Sequence, residues 1–337
     1  MTTKQKIVVT GGAGFIGSHT VIALHEAGYM PIIVDNFSNS DETVIDRLSQ
    51  VLGVRPVSYF ADCTDLDVLR DVFEREDDVS GVIHFAAYKS VPESVQNPLK
   101  YYRNNFISLI SLLEAAKEYT VPNILFSSSC TVYGDPKEVP VTEETERQHV
   151  SSPYGLTKQV GETVLKSTVT ADAALKAISL RYFNPIGAHS SGYIGESPKE
   201  EPQALVPLLL QAARGGKKLV VAGTDYPTPD GSCVRDFVHV MDVAEAHVKA
   251  LTHLQSKQGG FYDIYNIGIG KGTSVLELIS LFEKATGISV PYERGQRREG
   301  DIPQIFASVN KAAEELGWSA RRTVEDALID AWRWQQK

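Results

Sequence analysis

Ile7-Val8-Val9-Thr10-Gly11-Gly12-Ala13-Gly14-Phe15-Ile16-Gly17 decides the fold. An apolar run of strand type ends in a glycine cluster, then passes into Phe15, Ile16, Val21, Ile22 and Leu24, whose spacing is helical. Gly11, Gly14 and Gly17 let the backbone turn tightly and approach a pyrophosphate, whose charge then faces the open amides at a helix start. Glycine runs also make ordinary turns, so the context carries the reading. Gly28 is a helix stop, and Pro31-Ile32-Ile33-Val34 reads as a second buried strand ending at Asp35. A carboxylate at that place accepts bonds from an adenosine 2′-hydroxyl and repels a 2′-phosphate, which favours NAD over NADP. No Gly-Lys-Ser or Gly-Lys-Thr follows the glycines, so the turn does not read as a triphosphate-binding loop.

Outward from this stretch, strands and helices alternate through the first half. Helix is expected near Glu42 to Leu52, strand at Val57 to Phe60, helix at Leu66 to Phe73 and strand at Val82 to Phe85. A long helix near Leu99 to Tyr119, strand at Ile124 to Phe126, a helix beginning at Tyr154 and strand at Ala177 to Leu180 follow. Such alternation implies an α/β fold: a Rossmann-like doubly wound parallel sheet with ligands at the carboxyl ends of its strands. From about Gly187 the pattern loosens, and residues 190–202 read as a boundary or flexible entry segment. Beyond it come helix at Leu205 to Ala213, strand at Leu219 to Val221, helix at Val243 to Leu254, strand at Tyr265 to Ile267 and two or three short helices. The expected division is a dinucleotide-binding domain over 1–186, joined by later elements near 236–268, and a smaller C-terminal α/β substrate domain over 187–337.

Tyr154-Gly155-Leu156-Thr157-Lys158 places a phenol and an ammonium four residues apart, on one face of a helix. Ionising a tyrosine near neutral pH means stabilising its phenolate by about 4 kcal/mol. A lysine at roughly 6 Å, with an effective dielectric of about 20, contributes about 3 kcal/mol. A second cation such as an oxidised nicotinamide ring would supply the rest. The spacing alone is weak, because an exposed aromatic against a lysine stem is commoner. Of the 14 tyrosines only two have a lysine four residues on, and Tyr133 with Lys137 spans Gly134 and Pro136, which oppose a helix. Tyr154 begins a credible one, with Ser151 and Ser152 as caps, Pro153 in the first turn, and Val160, Val164 and Leu165 continuing an apolar stripe.

Composition sets outer limits. The 337 residues are 42% hydrophobic and carry a formal net charge of −9 without a dense basic block, which argues against nucleic acid as the main partner. Cys63, Cys130 and Cys233 are too few and scattered for a disulfide framework or a zinc site, so no metal is expected and a reducing compartment is. The first six residues have no long apolar stretch, and the most lipid-like run, Leu205 to Ala213, is far short of the ~20 residues of a membrane span. The expected location is the cytoplasm.

Together these motifs resemble the extended short-chain dehydrogenase/reductase superfamily and, within it, the UDP-glucose 4-epimerases. The resemblance spans nearly the whole chain. It rests on the Gly11 to Gly17 turn, Asp35-Asn36, Asp62, FAAYKSV from Phe85, Asn104, SSSCTVYG from Ser127 and SPYGLTK from Ser152. RYFNPIGAH from Arg181, DYPTPDGSCVRDFVHVMD from Asp225 and RREGD from Arg297 narrow it to sugar-nucleotide enzymes. It implies Tyr154 as base, Lys158 as its activator and ribose ligand, and Ser129 as a hydroxyl on the sugar oxygen. The cofactor positions it implies are Gly11, Gly14, Phe15, Ile16, Gly17, Asp35, Asn36, Asp62, Cys63, Phe85, Ala86, Lys89, Asn104 and Phe183. On the substrate side it implies Asn184, Arg235 and Arg298 for the diphosphate, Asp301 for the uridine ribose, and Lys89, Phe183, Leu205, Val220 and Ile305 around the sugar nucleotide. The implied activity interconverts UDP-galactose and UDP-glucose through a 4-keto sugar on tightly bound NAD. A homodimer through the Leu99 to Tyr119 and Tyr154 to Val169 helices is also implied.

The chain departs from the family pattern at Gln203 and Ala204, where two asparagines are usual, at Ala222, where an aromatic is common, and at Ile305, the pocket-size position. A 4-epimerase of UDP-N-acetylglucosamine, UDP-glucuronate or a UDP-pentose is the nearer alternative. A 4,6-dehydratase requires an acidic pair where Cys130 and Thr131 stand. A non-catalytic NAD or nucleotide-sugar sensor is the alternative of another class.

Overall fold

The computed structural model describes residues 4–199, 201–298 and 300–337. Met1–Thr3 of the leading segment, Glu200 of the 190–202 segment and Glu299 of the RREGD motif lie outside the described residues.

The first half runs β1 (Lys6–Thr10), α1 (Phe15–Glu26), β2 (Met30–Asp35), α2 (Thr43–Leu52), β3 (Val57–Phe60) and α3 (Leu66–Arg75). It continues through β4 (Val79–His84), α4 (Val91–Gln96), α5 (Pro98–Glu118), β5 (Asn123–Ser129), α6 (Pro153–Ala171) and β6 (Lys176–Tyr182). After it come β7 (Asn184–Ile186), α7 (Leu205–Ala213), β8 (Leu219–Ala222), β9 (Val234–Arg235), β10 (Phe237–His239), α8 (Val240–Ser256) and β11 (Phe261–Ile267). The chain ends with β12 (Thr273–Ser274), α9 (Val275–Thr286), β13 (Tyr292–Gly295), β14 (Gln304–Ile305), α10 (Asn310–Leu316) and α11 (Val324–Gln335).

Seven parallel strands form the main sheet in the order β11-β6-β5-β4-β1-β2-β3. Both faces of the central strands are covered, which is why β1, β2 and β5 carry continuous buried apolar runs, whereas the edge strand β3 alternates between half-buried and exposed residues. Ile7, Val9, Ile33, Ile83 and Leu125 face the core shared with α1 and α8. Val8, Ile32, Val34, Val82, Ile124 and Phe126 face the core shared with α3, α5 and α6. The last strand, β11, comes from late in the chain and pairs with β6 from Phe261↔Lys176 to Ile267↔Tyr182.

Several boundaries differ from expectation: β11 begins four residues early at Phe261, α8 three early at Val240, and β5 runs three further, to Ser129, because polar residues at these ends interrupt the apolar signal. β4 begins at Val79, three residues early, because Ser80 and Gly81 carry no apolar signature; a Cβ on Gly81 would lie 3.1 Å from the Asn123 carbonyl, a tight fit that favours a small residue. A separate short helix, α4, precedes α5, with Ser90 capping it through the Glu93 amide. In the C-terminal half α7, α9 and α11 enclose a second core around Val206, Leu209, Phe282 and Leu328. β8 pairs with β13, and β9 lies between β12 and β14. Among the described residues no helix is long and apolar enough to cross a membrane.

Candidate active site

The main sheet presents its carboxyl ends to a cavity of about 420 Å³. Gly11, Gly14, Phe15, Ile16 and Gly17 line it from the β1–α1 turn, Asp35 and Asn36 from the end of β2, and Asp62 and Cys63 from the end of β3. Phe85, Ala86 and Lys89 follow β4, Asn104 reaches it from α5, Ser129 ends β5, Tyr154 and Lys158 stand on α6, and Phe183 and Asn184 follow β6. Every position assigned to the cofactor from sequence therefore lies around one cavity.

Its residues fit a dinucleotide. Gly11 has φ +69°, and a Cβ there would lie 2.8 Å from the Ala86 nitrogen; a Cβ on Gly17 would lie 2.2 Å from the Gly11 carbonyl. The turn is as close-packed as a backbone can be, and Gly14 caps α1 with no side chain over the helix start. Asp35 is buried, and burial raises its carboxyl above the usual range. Its oxygens accept from the Ala13 amide at 3.0 Å, the Phe37 amide at 2.8 Å and the Ser40 hydroxyl at 3.2 Å. The carboxylate thus braces the glycine turn and still faces the cavity. Asn36 donates to Asp62 at 2.9 Å, tying the ends of β2 and β3 together.

On α6, Ser152 accepts the Gly155 amide at 3.1 Å and so starts the helix one residue before Tyr154. Lys158 Nζ donates to the Ser127 carbonyl at 2.6 Å and sits 4.8 Å from the Phe126 ring centroid and 5.8 Å from that of Tyr154. Gly161 permits this closeness, since a Cβ there would lie 2.6 Å from the Phe126 ring. Burial pushes the Tyr154 phenol up to about 12, opposed by the Ser129 hydroxyl, and Lys158 down to about 7, opposed by Glu162. Burial therefore opposes both the phenolate and the ammonium. Desolvation acts on both partners, so the lysine carries less charge than the Tyr154–Lys158 spacing alone implies.

The 187–199 segment crosses the cavity mouth. Glu196 pairs with Lys89 at 3.1 Å, and Lys199 donates to the Phe37 carbonyl at 2.5 Å. From behind, Trp334 of α11 donates to the Glu196 carbonyl at 3.1 Å, with its indole against Gly195.

Substrate-side positions are distributed differently. Lys89, Ser129, Tyr154, Phe183 and Asn184 line the cavity, and the buried Oδ1 of Asn184 has no partner among the described residues. Leu205, Val220, Arg235, Arg298, Asp301 and Ile305 are not among its lining residues. Arg235 on β9 lies 3.7 Å from Asp301 and opposite Ile305 of β14, while Arg298 and Val220 are exposed. Ile305 is buried with Cys130, Val132 and Phe183. Glu196 carries no sequence motif of its own, and Glu162 is masked by the apolar stripe of Val160, Val164 and Leu165 around it.

Residues 7–268 match the NAD dependent epimerase/dehydratase family. The chain belongs to that family. Within the family it is 47% identical over 330 residues to the UDP-glucose 4-epimerase of Bacillus subtilis, covering 98% of this chain and 96% of that one. A UDP-glucose-4-epimerase from Stenotrophomonas maltophila, solved with NAD and formylated UDP-arabinopyranose, superposes with a TM-score of 0.95 at 43% identity, 98% of each chain being covered. The UDP-glucose 4-epimerase of Bifidobacterium longum, solved with NAD+ and UDP, gives 0.94 at 44% identity with the same coverage.

Proposed function

We propose that this protein is an NAD-dependent UDP-glucose 4-epimerase interconverting UDP-galactose and UDP-glucose through a 4-keto sugar. The observation that carries the reading is the meeting of Ser129, Tyr154 and Lys158 at the wall of the cavity that the glycine turn and Asp35 also line. NAD held there would accept hydride from the sugar C4′ and return it. Tyr154 takes the proton of the 4′-hydroxyl and later gives it back, while Ser129 hydrogen-bonds the same oxygen. Lys158, anchored on the Ser127 carbonyl, fixes the phenol and adds positive charge when protonated. Asn184, Arg235 and Arg298 take the diphosphate and Asp301 the uridine ribose, so binding grips the nucleotide and leaves the hexose free to present either face.

Tyr154→Phe removes the proton acceptor without changing the cavity. Conversion of UDP-galactose should fall by about 10²–10⁴-fold while dinucleotide stays bound, read by a coupled assay and by absorbance of the released cofactor. Near-normal turnover overturns the assignment. Comparison with UDP-N-acetyl sugars, UDP-glucuronate and a UDP-pentose fixes the sugar class.

The reading places NAD on residues 1–186, with the later stretch near 236–268 joined to them, and the UDP-sugar on residues 187–337. Cytoplasmic location suits three buried free thiols. A homodimer is supported by the apolar face of α4, α5 and α6, where Leu99 is 80% exposed and Val95, Ile107, Ile110 and Leu156 accompany it. Leu99→Asp with Ile110→Asp should halve the mass seen by sedimentation; a wild-type monomer removes the proposal.

A further inference from the structure

Tyr154, Lys158 and Glu162 stand at successive four-residue steps on α6, one above another on a single face. Glu162 is 1% exposed and is the hub of a buried charge network. Its Oε1 accepts from the Ser128 hydroxyl at 2.5 Å and from Arg181 Nε at 2.9 Å. Its Oε2 accepts from Arg181 Nη2 at 2.8 Å and from Arg147 Nη2 at 2.5 Å. Arg181, on β6 opposite Ser128 in the β5–β6 register, is itself 1% exposed. Ser128 lies between the residue whose carbonyl holds Lys158 and the residue whose hydroxyl faces the phenol. One carboxylate therefore fastens α6 to the strand that carries both other parts of the site.

We propose that Glu162 is a positioning residue for this reaction: clamped by Arg181 and Arg147, it aligns Ser127 and Ser129 with Lys158 and Tyr154 and supplies the anion that faces the Lys158 ammonium. The inference rests on the epimerase reading above.

Other groups around the network carry little competing charge. Tyr133 receives Arg181 Nη1 at 2.8 Å and donates to Asn266 at 2.6 Å, so its phenol is spoken for; burial keeps that of Tyr262, from β11, protonated. His84 on β4, bonded to Thr10 at 2.8 Å, is held neutral by burial, its imidazole pushed down to about 3. Glu143 offers Arg181 only its backbone carbonyl, and its carboxylate accepts the Asn266 amide at 2.7 Å. Glu162 is thus the carboxylate whose loss changes the field at Lys158, opposing the burial that depresses that lysine.

The sign of each substitution follows. Glu162→Gln keeps the shape and leaves two cations uncompensated, so Lys158 loses its proton, and Tyr154 its own, at lower pH. Arg147→Gln leaves the anion less shielded, so Lys158 keeps its proton to higher pH. The experiment measures the pH dependence of kcat with UDP-galactose for wild type, each single variant and the double variant. Alongside it, the near-ultraviolet phenolate absorbance of each protein is titrated against its Tyr154→Phe counterpart, with thermal melting as a control for folding. Expected are a downward displacement of the profile by roughly one pH unit in Glu162→Gln, an upward displacement of the alkaline limb in Arg147→Gln, and an intermediate profile in the double variant. A rate loss with unmoved limbs in Glu162→Gln overturns the proposal, since a merely structural role does just that. If Glu162→Gln fails to melt cooperatively, Arg147→Gln decides alone: displacement upward supports the proposal and coincidence with wild type overturns it. Wild-type inactivity toward every UDP-sugar sinks the epimerase reading instead, and the phenolate titration still judges Glu162.

Discussion

Gly17 shows how little freedom a single position has. Its missing side chain is where the Gly11 carbonyl passes, and an alanine methyl would stand 2.2 Å from that oxygen, closer than any nonbonded pair tolerates. Gly17→Ala gains about 1 kcal/mol of helix propensity in α1, yet the clash is with backbone and cannot be relieved by a rotamer. The turn must open, and it is the turn that meets the pyrophosphate. Dinucleotide affinity measured by calorimetry should fall at least about tenfold, equivalent to about 1.4 kcal/mol. Gly28→Ala strains the backbone at φ +89° at the other end of α1 but meets nothing within 4 Å, so it should lower stability and leave affinity unchanged. Asp35 makes the same point with charge: the glycines and the carboxylate are one unit, joined through the Ala13 amide.

At the scale of the element, α6 depends on its first turn. Ser152 is buried and caps the helix, so Ser152→Ala should cost about 1 kcal/mol, and denaturant unfolding would register it as a lower midpoint with unchanged slope. Tyr154 lies within that turn, so kcat should fall more than the stability loss alone explains; equal rates would separate the cap from the site. Elements of this kind were legible in the sequence. β3 and α7 fall on the residues expected, because a run of apolar residues between turn formers fixes both ends. β9, β12 and β14 were not legible, since two residues have no periodicity and their pairing partners lie tens of residues away. The same limit hid the Arg181–Glu162 pair: nothing local distinguishes a buried ion pair from two surface charges until β6 and α6 are packed. The cofactor positions were readable because they sit at strand ends, where alternation alone predicts a shared edge. The substrate positions follow irregular segments, and periodicity has no hold on those.

For the molecule as a whole, titration of buried imidazoles governs behaviour in acid. Burial depresses His19 and His84 to about 3 and His247 to about 4, against an ordinary 6.5. Between those values the unfolded chain binds protons that the folded one refuses, so stability is lost as pH falls below about 6. Asp236 acts in the other direction, because burial raises it to about 6 and the folded state then takes up a proton that the unfolded chain does not until near 3.8. His189 and His253, also lowered by burial, add to the loss and Asp35, also raised by burial, opposes it, leaving a net loss on the order of 1–3 kcal/mol per pH unit. Urea midpoints between pH 6 and pH 4.5 should fall accordingly, and His247→Gln, if folded, should flatten the slope; an acid-independent midpoint contradicts the account. The crossing segment at the cavity mouth has its own consequence at this scale. Glu196 meets Lys89 through its carboxylate and is fastened through its backbone carbonyl by Trp334 of α11. α11 thus works as a bolt on the segment that carries Glu196, so a substitution that loosens this helix would also unlatch the rim of the cavity beside Lys89.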